Sequence, residues 1–192
     1  MSIVVLIPTY NSSSTIAETL GSVLRQSRLN AVSALYVSDD GSRDDTVDVA
    51  LRTWDRRDVR LHVLKRERNL GQWNNVNRAL ADAGSLADWI AILHGDDIAK
   101  PNWIEEMLAA IRRAPDSVAS VCSSWDVLFP SGTVETGEDN PARGIEHIRG
   151  TPEAIRSTLL RGCWWHISGA CIRSEAFREV GEFAEDLPQM AD

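Results

Sequence analysis

The sequence lacks the short motifs that mark several common nucleotide and hydrolase sites. It has no GxGxxG after its first apolar run, no GxxxxGK[ST] and no GxSxG. These absences argue against a dinucleotide-binding domain, a P-loop and a serine nucleophile elbow. The three cysteines are widely spaced and include no CxxC pair, so neither a disulfide framework nor a zinc site of that kind is expected.

Positive charge is also scarce. The 192 residues carry 20 Lys and Arg against 28 Asp and Glu, which gives a net charge of −8. Nucleic-acid binding through a basic surface is therefore not expected, and an anionic ligand would need backbone amides, a helix N-terminus or a bound cation. No apolar run approaches membrane-spanning length, and residues 3–7 follow no basic segment. We expect a cytoplasmic protein without a transmembrane segment, and peripheral membrane association stays open.

Strand and helix patterns alternate through the first two thirds of the chain. Apolar runs at 3–8, 33–38, 59–65 and 88–93 predict strands, and the segments 16–26, 46–54, 72–83 and 101–114 predict helices. This alternation indicates an α/β fold with a Rossmann-like, doubly wound, mostly parallel sheet and helices on both faces. After residue 129 the pattern changes to a hairpin tip, a turn-rich loop, a helix over 151–162, an extended segment and a short helix from 174.

Ligands of open α/β sheets bind beyond the carboxyl ends of the strands, so the residues that follow each strand are the candidates. They are Thr9, Tyr10 and Asn11 after the first strand, Asp39 and Asp40 after the second, Arg68, Asn69 and Gly71 after the third, and His94, Gly95, Asp96 and Asp97 after the fourth. Asp39 and Asp40 would equally suit capping of the next helix, and Asp96 and Asp97 a turn before Pro101. Their convergence on one edge favours a ligand site.

The chemistry that suits these residues is the binding of a nucleotide diphosphate. An acidic protein repels a diphosphate unless a divalent cation bridges the two, and Mg²⁺ or Mn²⁺ binds one or two carboxylates plus the phosphates. Asp96 and Asp97 supply that pattern. Asp39 and Asp40 are suited to accept hydrogen bonds from a base or a ribose, and Tyr10 to stack on the base.

Six stretches, taken in order, resemble the family 2 glycosyltransferases, which are inverting enzymes of the GT-A fold. They are IVVLIPTYN, VSDDGSRDDT, RNLGQWNNVNRAL, ILHGDDIAKPNWIEEM, SGACIRSEAFREVGEF and LPQMAD. The resemblance implies a single GT-A domain over 1–192, with a nucleotide-binding part at 1–129 and an acceptor-side part at 130–192. It also implies a nucleotide-sugar donor, with a UDP-sugar expected, a saccharide or lipid-linked acceptor, and Mn²⁺ or Mg²⁺.

The resemblance also assigns residues by position. The base pocket would include Pro8, Thr9, Tyr10 and Asp39, with Asp40 close by. Arg68, which follows the third strand, is a further candidate for nucleotide binding. Asp96 would lie near the ribose or the metal, and Asp97 on the metal. Asp192 would be the catalytic base, since a carboxylate takes the proton of the attacking hydroxyl.

The sequence departs from the family pattern at three places. His94 stands where the acidic metal motif often begins with an aspartate, and Glu182 replaces the second glycine of a GGF-like turn. Asp192 is the last residue, and LPQMAD ends with neither a helix stop nor a strand end, which suggests a boundary within a longer protein. A non-catalytic nucleotide-sugar binding module or inactive relative is therefore the alternative function. A nucleotidyltransferase is disfavoured because PTYNSSS is neither glycine-rich nor basic.

Two tryptophans and a histidine precede the SGACIR strand. Trp164, Trp165 and His166 would approach the donor sugar and the acceptor if the resemblance holds. Indole rings pack well on the apolar faces of sugars, but the same side chains also suit plain core packing. Both interpretations stay open.

Overall fold

The computed structural model describes residues 1–56, 58–84, 87–136, 148, 150–160 and 165–185. Within them, the strands are β1 (Ile3–Thr9), β2 (Val32–Asp39), β3 (Arg60–Lys65), β4 (Trp89–Ile92), β5 (Ser120–Cys122), β6 (Asp126–Leu128), β7 (Val134–Thr136) and β8 (Ala170–Arg173). The helices are α1 (Ile16–Leu24), α2 (Thr46–Thr53), α3 (Gln72–Ala83), α4 (Trp103–Arg113), α5 (Pro152–Leu159) and α6 (Ser174–Val180).

The central sheet has the strand order β3-β2-β1-β4-β8-β5. The first four strands in this order are parallel, as the alternating pattern predicted. β8 pairs antiparallel with β4 on one side and with β5 on the other. The predicted mostly parallel α/β sheet is therefore confirmed, and the predicted hairpin is the separate pair β6–β7. Among the described helices, none is long and apolar enough to cross a membrane.

β1 is buried on both faces because helices cover both sides of the sheet. Ile3, Val5 and Ile7 pack in one apolar cluster with α1, α2 and α4. Val4 and Leu6 pack on the opposite face, against α3. A strand that lies inside two layers needs apolar side chains at every position, which explains the continuous β-branched run at the start of the chain.

The start of α4 differs from the sequence prediction. Pro101 was expected to open the helix, but the helix begins at Trp103. Pro101 and Asn102 form a turn instead, in which the Trp103 N–H donates to the Lys100 carbonyl at 2.9 Å. The Pro101 carbonyl accepts from the Ser27 N–H at 2.8 Å. Local sequence preference placed Pro101 in the helix, but in the structure Pro101 contacts the segment after α1.

We predict that Leu80→Ala lowers the free energy of unfolding by about 2–5 kcal/mol, because a fully buried leucine leaves a cavity when it is truncated. Leu51→Ala is the matched control, since Leu51 on α2 is 54% exposed and should change stability by less than about 0.5 kcal/mol. Urea unfolding of the three proteins measures both values. Equal losses in the two variants would contradict the packing of α3 on the sheet.

Candidate active site

Loops that follow β1, β2 and β4 meet at the carboxyl edge of the sheet. Thr9 and Asp39 are partners in the β1–β2 register, and the Asp40 N–H donates to the Thr9 carbonyl at 3.0 Å. On the other side, the Gly95 N–H donates to the Pro8 carbonyl at 3.1 Å. The end of β1 is thus bordered by both acidic loops, as expected from the topology.

Asp39 is fully buried and holds the loop that follows it. Its carboxylate accepts a hydrogen bond from the Ser42 N–H at 3.1 Å and another from the Ser42 hydroxyl. The same hydroxyl accepts from the Asn11 N–H at 2.8 Å. The alternative role as a helix cap is not what the structure has, since the residue at the N-cap of α2 is Asp45.

Asp40 joins the loop after β2 to the start of α3. Its buried carboxylate accepts hydrogen bonds from the N–H groups of Leu70 and Gly71 at 2.9–3.2 Å. Burial raises the pKa of Asp40 and outweighs these hydrogen bonds, which lower it. Gly41 has φ +75°, and a Cβ there would lie 2.6 Å from the backbone of Arg68, so this close contact requires glycine. The Arg68 side chain itself is exposed.

Thr9 carries a buried polar atom without a partner among the described residues. Thr9 is 6% exposed, and its hydroxyl oxygen accepts and donates no hydrogen bond there. It faces Gly95, where an added Cβ would lie 2.6 Å from this oxygen. The sequence placed Gly95 in the loop with Asp96 and Asp97 but gave no sign that a side chain there would clash with Thr9. This clash depends on the neighbouring strand β1, which carries Thr9. Tyr10, next along the chain, is 41% exposed.

The loops after β1 and β2 are also joined at their outer rim. Asn11 has φ 50°, and its side-chain oxygen accepts from the Arg43 N–H at 2.9 Å. Asn11 does not cap α1, because this helix begins at Ile16 after Thr15, with no side-chain cap bond.

Asp44 makes a second connection between the loops after β1 and β2. Its carboxylate accepts from the N–H groups of Ser13 and Thr46, both at 3.1 Å, and from the Thr46 hydroxyl. Partial desolvation opposes ionisation, but the hydrogen bonds from Thr46 and Ser13 prevail and lower the pKa of Asp44 to about 2. The ionised carboxylate therefore stabilises the rim at neutral pH.

His94, Asp96 and Asp97 form an acidic cluster at the end of β4. One ligand atom of each residue lies within 4.8 Å of those of the other two. His94 is half-buried, and its Nε2 lies 3.4 Å from Nε2 of Gln72, while both aspartates are exposed. Two carboxylate oxygens at this spacing fit Mn²⁺ or Mg²⁺, which prefer oxygen ligands. The imidazole is the departure from an all-oxygen set.

Ser168 contacts this cluster from the turn before β8. Its hydroxyl oxygen accepts from the His94 N–H at 3.0 Å and donates its proton to the carboxylate of Asp97. Ser168 is not among the residues that the sequence predicted for the site, although it lies within the SGACIR stretch that carried the resemblance. The local sequence around Ser168 gives no sign of this contact, which arises because β8 pairs with β4.

The acceptor-side candidates are only partly described. Trp164 and Asp192 lie outside the described residues. Trp165 is half-buried and donates from its indole N–H to the Ser120 hydroxyl at 3.0 Å. The His166 ring lies against Trp125, with ring centroids 4.0 Å apart. These contacts suit packing, and the role in sugar binding stays a prediction.

A second feature that sequence reasoning missed is a clamp between α3 and the segment after α6. The Asn77 side chain bonds both backbone groups of Phe183, donating to its carbonyl at 2.9 Å and accepting from its N–H at 2.8 Å. Trp73 stacks on the Phe183 ring at 4.9 Å, and the Asn74 amide donates to the Glu185 carboxylate at 3.0 Å. The clamp fixes the chain up to Glu185.

The parallel sheet, the antiparallel β8 and the acidic edge define a GT-A-type domain, and two solved structures with this fold superpose on it. A mannosyltransferase from Pyrobaculum calidifontis in complex with GDP-Man and Mn²⁺ has a TM-score of 0.68 at 18% identity, over 96% of this chain and 48% of the other. TarS 1-349 from S. aureus in complex with UDP has a TM-score of 0.67 at 20% identity, over 98% and 52%.

The chain belongs to glycosyl transferase family 2, whose family model matches residues 4–167. The validoxylamine A glucosyltransferase of Streptomyces hygroscopicus subsp. jinggangensis is 33% identical over 201 residues, which cover 95% of this chain and 47% of the relative. The chain spans 36% and 48% of the length of two further curated relatives. The family resemblance expected from the sequence is therefore confirmed.

We predict that Asp44→Asn lowers the free energy of unfolding at neutral pH. Because the pKa of Asp44 is lowered to about 2 in the folded state, its contribution is complete above the unfolded pKa of about 4 and disappears as the pH falls through about 2. Urea unfolding of wild type and variant from pH 7 to pH 3 should give a constant difference at and above pH 5 and a smaller one below pH 4. A difference that does not change with pH would contradict this. Asp116→Asn, at an exposed aspartate after α4, is the control at neutral pH.

Proposed function

We propose that the protein is an inverting glycosyltransferase that transfers a sugar from a nucleotide-diphosphate donor, a UDP-sugar above all, to a saccharide or lipid-linked acceptor. The observation that carries this proposal is the meeting of the β1 and β2 ends with the His94, Asp96 and Asp97 cluster at one edge of a family 2 fold. In this proposal residues 1–129 bind the donor and residues 130–192 form the acceptor side. The cytoplasmic location stays a prediction, and so does peripheral membrane association.

The base pocket is proposed at the end of β1. Thr9 ends the buried strand β1, and the exposed ring of Tyr10 next to it is suited to stacking on the base. Pro8 fixes the backbone here, and its carbonyl is already bonded to Gly95. Since Asp39 is fully buried, we assign it to this pocket through the Ser42 loop that it holds. Asp40 and Arg68 shape the adjoining loop.

The diphosphate is proposed to lie at the end of β4. Asp97 and Asp96, joined by His94, would hold Mn²⁺ or Mg²⁺ there. When bound, the cation neutralises charge that develops on the leaving nucleoside diphosphate. The Pyrobaculum mannosyltransferase, which shares this fold, was solved with GDP-Man and Mn²⁺, and this supports a divalent cation in the proposal.

Inverting transfer is a single displacement at the anomeric carbon. The acceptor hydroxyl oxygen forms the new bond while the bond to the diphosphate oxygen breaks on the opposite face, and Asp192 takes the hydroxyl proton. The clamp of Asn77 holds Phe183, which precedes Asp192 by nine positions in the sequence. Trp164, Trp165 and His166 are proposed to border the sugar.

A non-catalytic nucleotide-sugar binding module is the second candidate. The observation that favours it is His94 at a position where the family motif often has an aspartate, which leaves Asp96 and Asp97 as the acidic ligands. Such a module would keep donor binding and would not depend on a catalytic base.

We predict that UDP binds in the presence of Mn²⁺ and that Asp39→Ala lowers its affinity by about 1–3 kcal/mol, because the Ser42 hydroxyl loses its buried partner. Ser42→Ala should reproduce most of this loss if Asp39 acts through the loop. Calorimetry with Mn²⁺ and with excess chelator measures these affinities. Asp48→Ala, at an exposed acid on α2, is the control. Equal affinity in wild type and Asp39→Ala would remove Asp39 from the site.

We predict that Asp192→Asn, in the full-length protein, keeps donor affinity within a few-fold and slows sugar transfer by roughly 10²- to 10⁴-fold. A general base acts mainly in the transition state, so its loss changes turnover rather than ground-state binding. The rate is measured with the acceptor, or as donor hydrolysis. Wild-type turnover in the variant would exclude Asp192 as the base. Donor binding without turnover in both proteins would favour the binding module.

A further inference from the structure

We propose that Ser168 is a positioning residue that orients the Asp97 carboxylate for divalent-cation binding; the inference rests on the cation site of the proposed function. Ser168 belongs to the acceptor-side part of the chain, and Asp97 to the loop after β4. The hydroxyl of Ser168 is therefore a direct connection between the two parts at the acidic cluster.

The turn that carries Ser168 is held on two sides. The Gly169 N–H donates to the Ile92 carbonyl at the end of β4, at 2.8 Å, and the Gly169 carbonyl accepts from the Ser123 N–H at 3.0 Å. Gly169 has φ +91°, and a Cβ there would lie 2.5 Å from the Ser123 hydroxyl. Only glycine suits this conformation and this contact, so the backbone position of Ser168 is well determined.

The hydrogen bonds of Ser168 then fix the direction of its hydroxyl. The oxygen accepts from the His94 N–H at 3.0 Å, and a hydroxyl has a single proton, which it donates to Oδ2 of Asp97. Because the backbone N–H of His94 donates to the Ser168 oxygen, the Ser168 proton points towards Asp97. Oδ1 of Asp97 makes no part of this contact and stays available to a cation.

This contact matters because Asp97 is exposed. An exposed carboxylate samples several rotamers, and a cation that binds it must restrict them to one. A hydrogen bond that selects the rotamer beforehand removes part of that cost. Hydrogen-bond partners of metal ligands typically change metal affinity by about 10- to 100-fold when they are mutated. Ser168 has the position and the chemistry of such a partner.

The test is a titration of the full chain with Mn²⁺, with and without UDP. Electron paramagnetic resonance measures the free Mn²⁺ at each step and so gives the Kd. We expect Ser168→Ala to raise the Mn²⁺ Kd about tenfold or more. Ser168→Thr keeps the hydroxyl and should stay within about threefold of wild type. Ser123→Ala is the matched control, because Ser123 bonds the same turn without contacting Asp97. Asp97→Asn gives the reference for a lost ligand.

The outcomes separate the inference from the proposed function. If Asp97→Asn loses Mn²⁺ and Ser168→Ala binds it as tightly as wild type, the cation site stands and the role of Ser168 is wrong. If wild type binds Mn²⁺ no better than Asp97→Asn, the cation site is wrong and the inference is overturned with it. A parallel loss in Ser123→Ala would mean that the turn as a whole, and not the hydroxyl, sets the affinity.

Thermal unfolding of each variant shows whether Ser168→Ala folds. If it does not, Ser168→Cys replaces it, since a thiol of similar size is only a weak hydrogen-bond donor. The cysteine variant should then bind Mn²⁺ more weakly than Ser168→Thr. Equal Mn²⁺ affinity in the cysteine and threonine variants would overturn the proposal.

Discussion

The double burial of β1 is the constraint on which the rest of the structure depends. β1 is bonded on one edge to β2 and on the other to β4, and helices cover both of its faces. Its carboxyl end therefore emerges between two neighbouring loops, with no freedom to turn away from either. The backbone bonds from Asp40 to Thr9 and from Gly95 to Pro8 continue this confinement beyond the strands. The strand pairing of the sheet therefore brings the polar residues at these positions together, independently of their local conformational preferences.

The carboxylates at this edge divide into two groups by burial. Asp39 and Asp40 are buried and accept hydrogen bonds from the loops beside them, as a buried charge must if it is not to destabilise the fold. Asp96 and Asp97 are exposed and form the cluster with His94. The buried pair thus shapes the loops, while the carboxylates of the exposed pair are open to solvent. The net charge of −8 disfavours an anion at this edge unless backbone amides, a helix N-terminus or a cation offset the repulsion.

The part of the chain after residue 129 returns to the same edge through a reversal of strand direction. β8 runs antiparallel to β4, so the turn before it lies beside the end of β4 and brings Ser168 to the acidic cluster. On the sheet face that α3 covers, Asn77 of α3 binds the backbone of Phe183. Elements before residue 129 thereby hold the later segments at two separate places, and both contacts use side-chain hydrogen bonds.

Local periodicity determined much of the architecture from the sequence alone. The pattern over 72–83 predicted α3 with the bounds that the structure has, and the apolar run at 3–8 predicted β1, because both signals depend only on near neighbours. The acidic loops were found for the same reason, as they follow strands. The tertiary structure alone decided what each side chain contacts: Asn11 bonds Arg43 rather than capping a helix, and Ser168 reaches Asp97, 71 residues away. Such contacts depend on which strands pair, and that pairing is a property of the whole sheet and not of any segment.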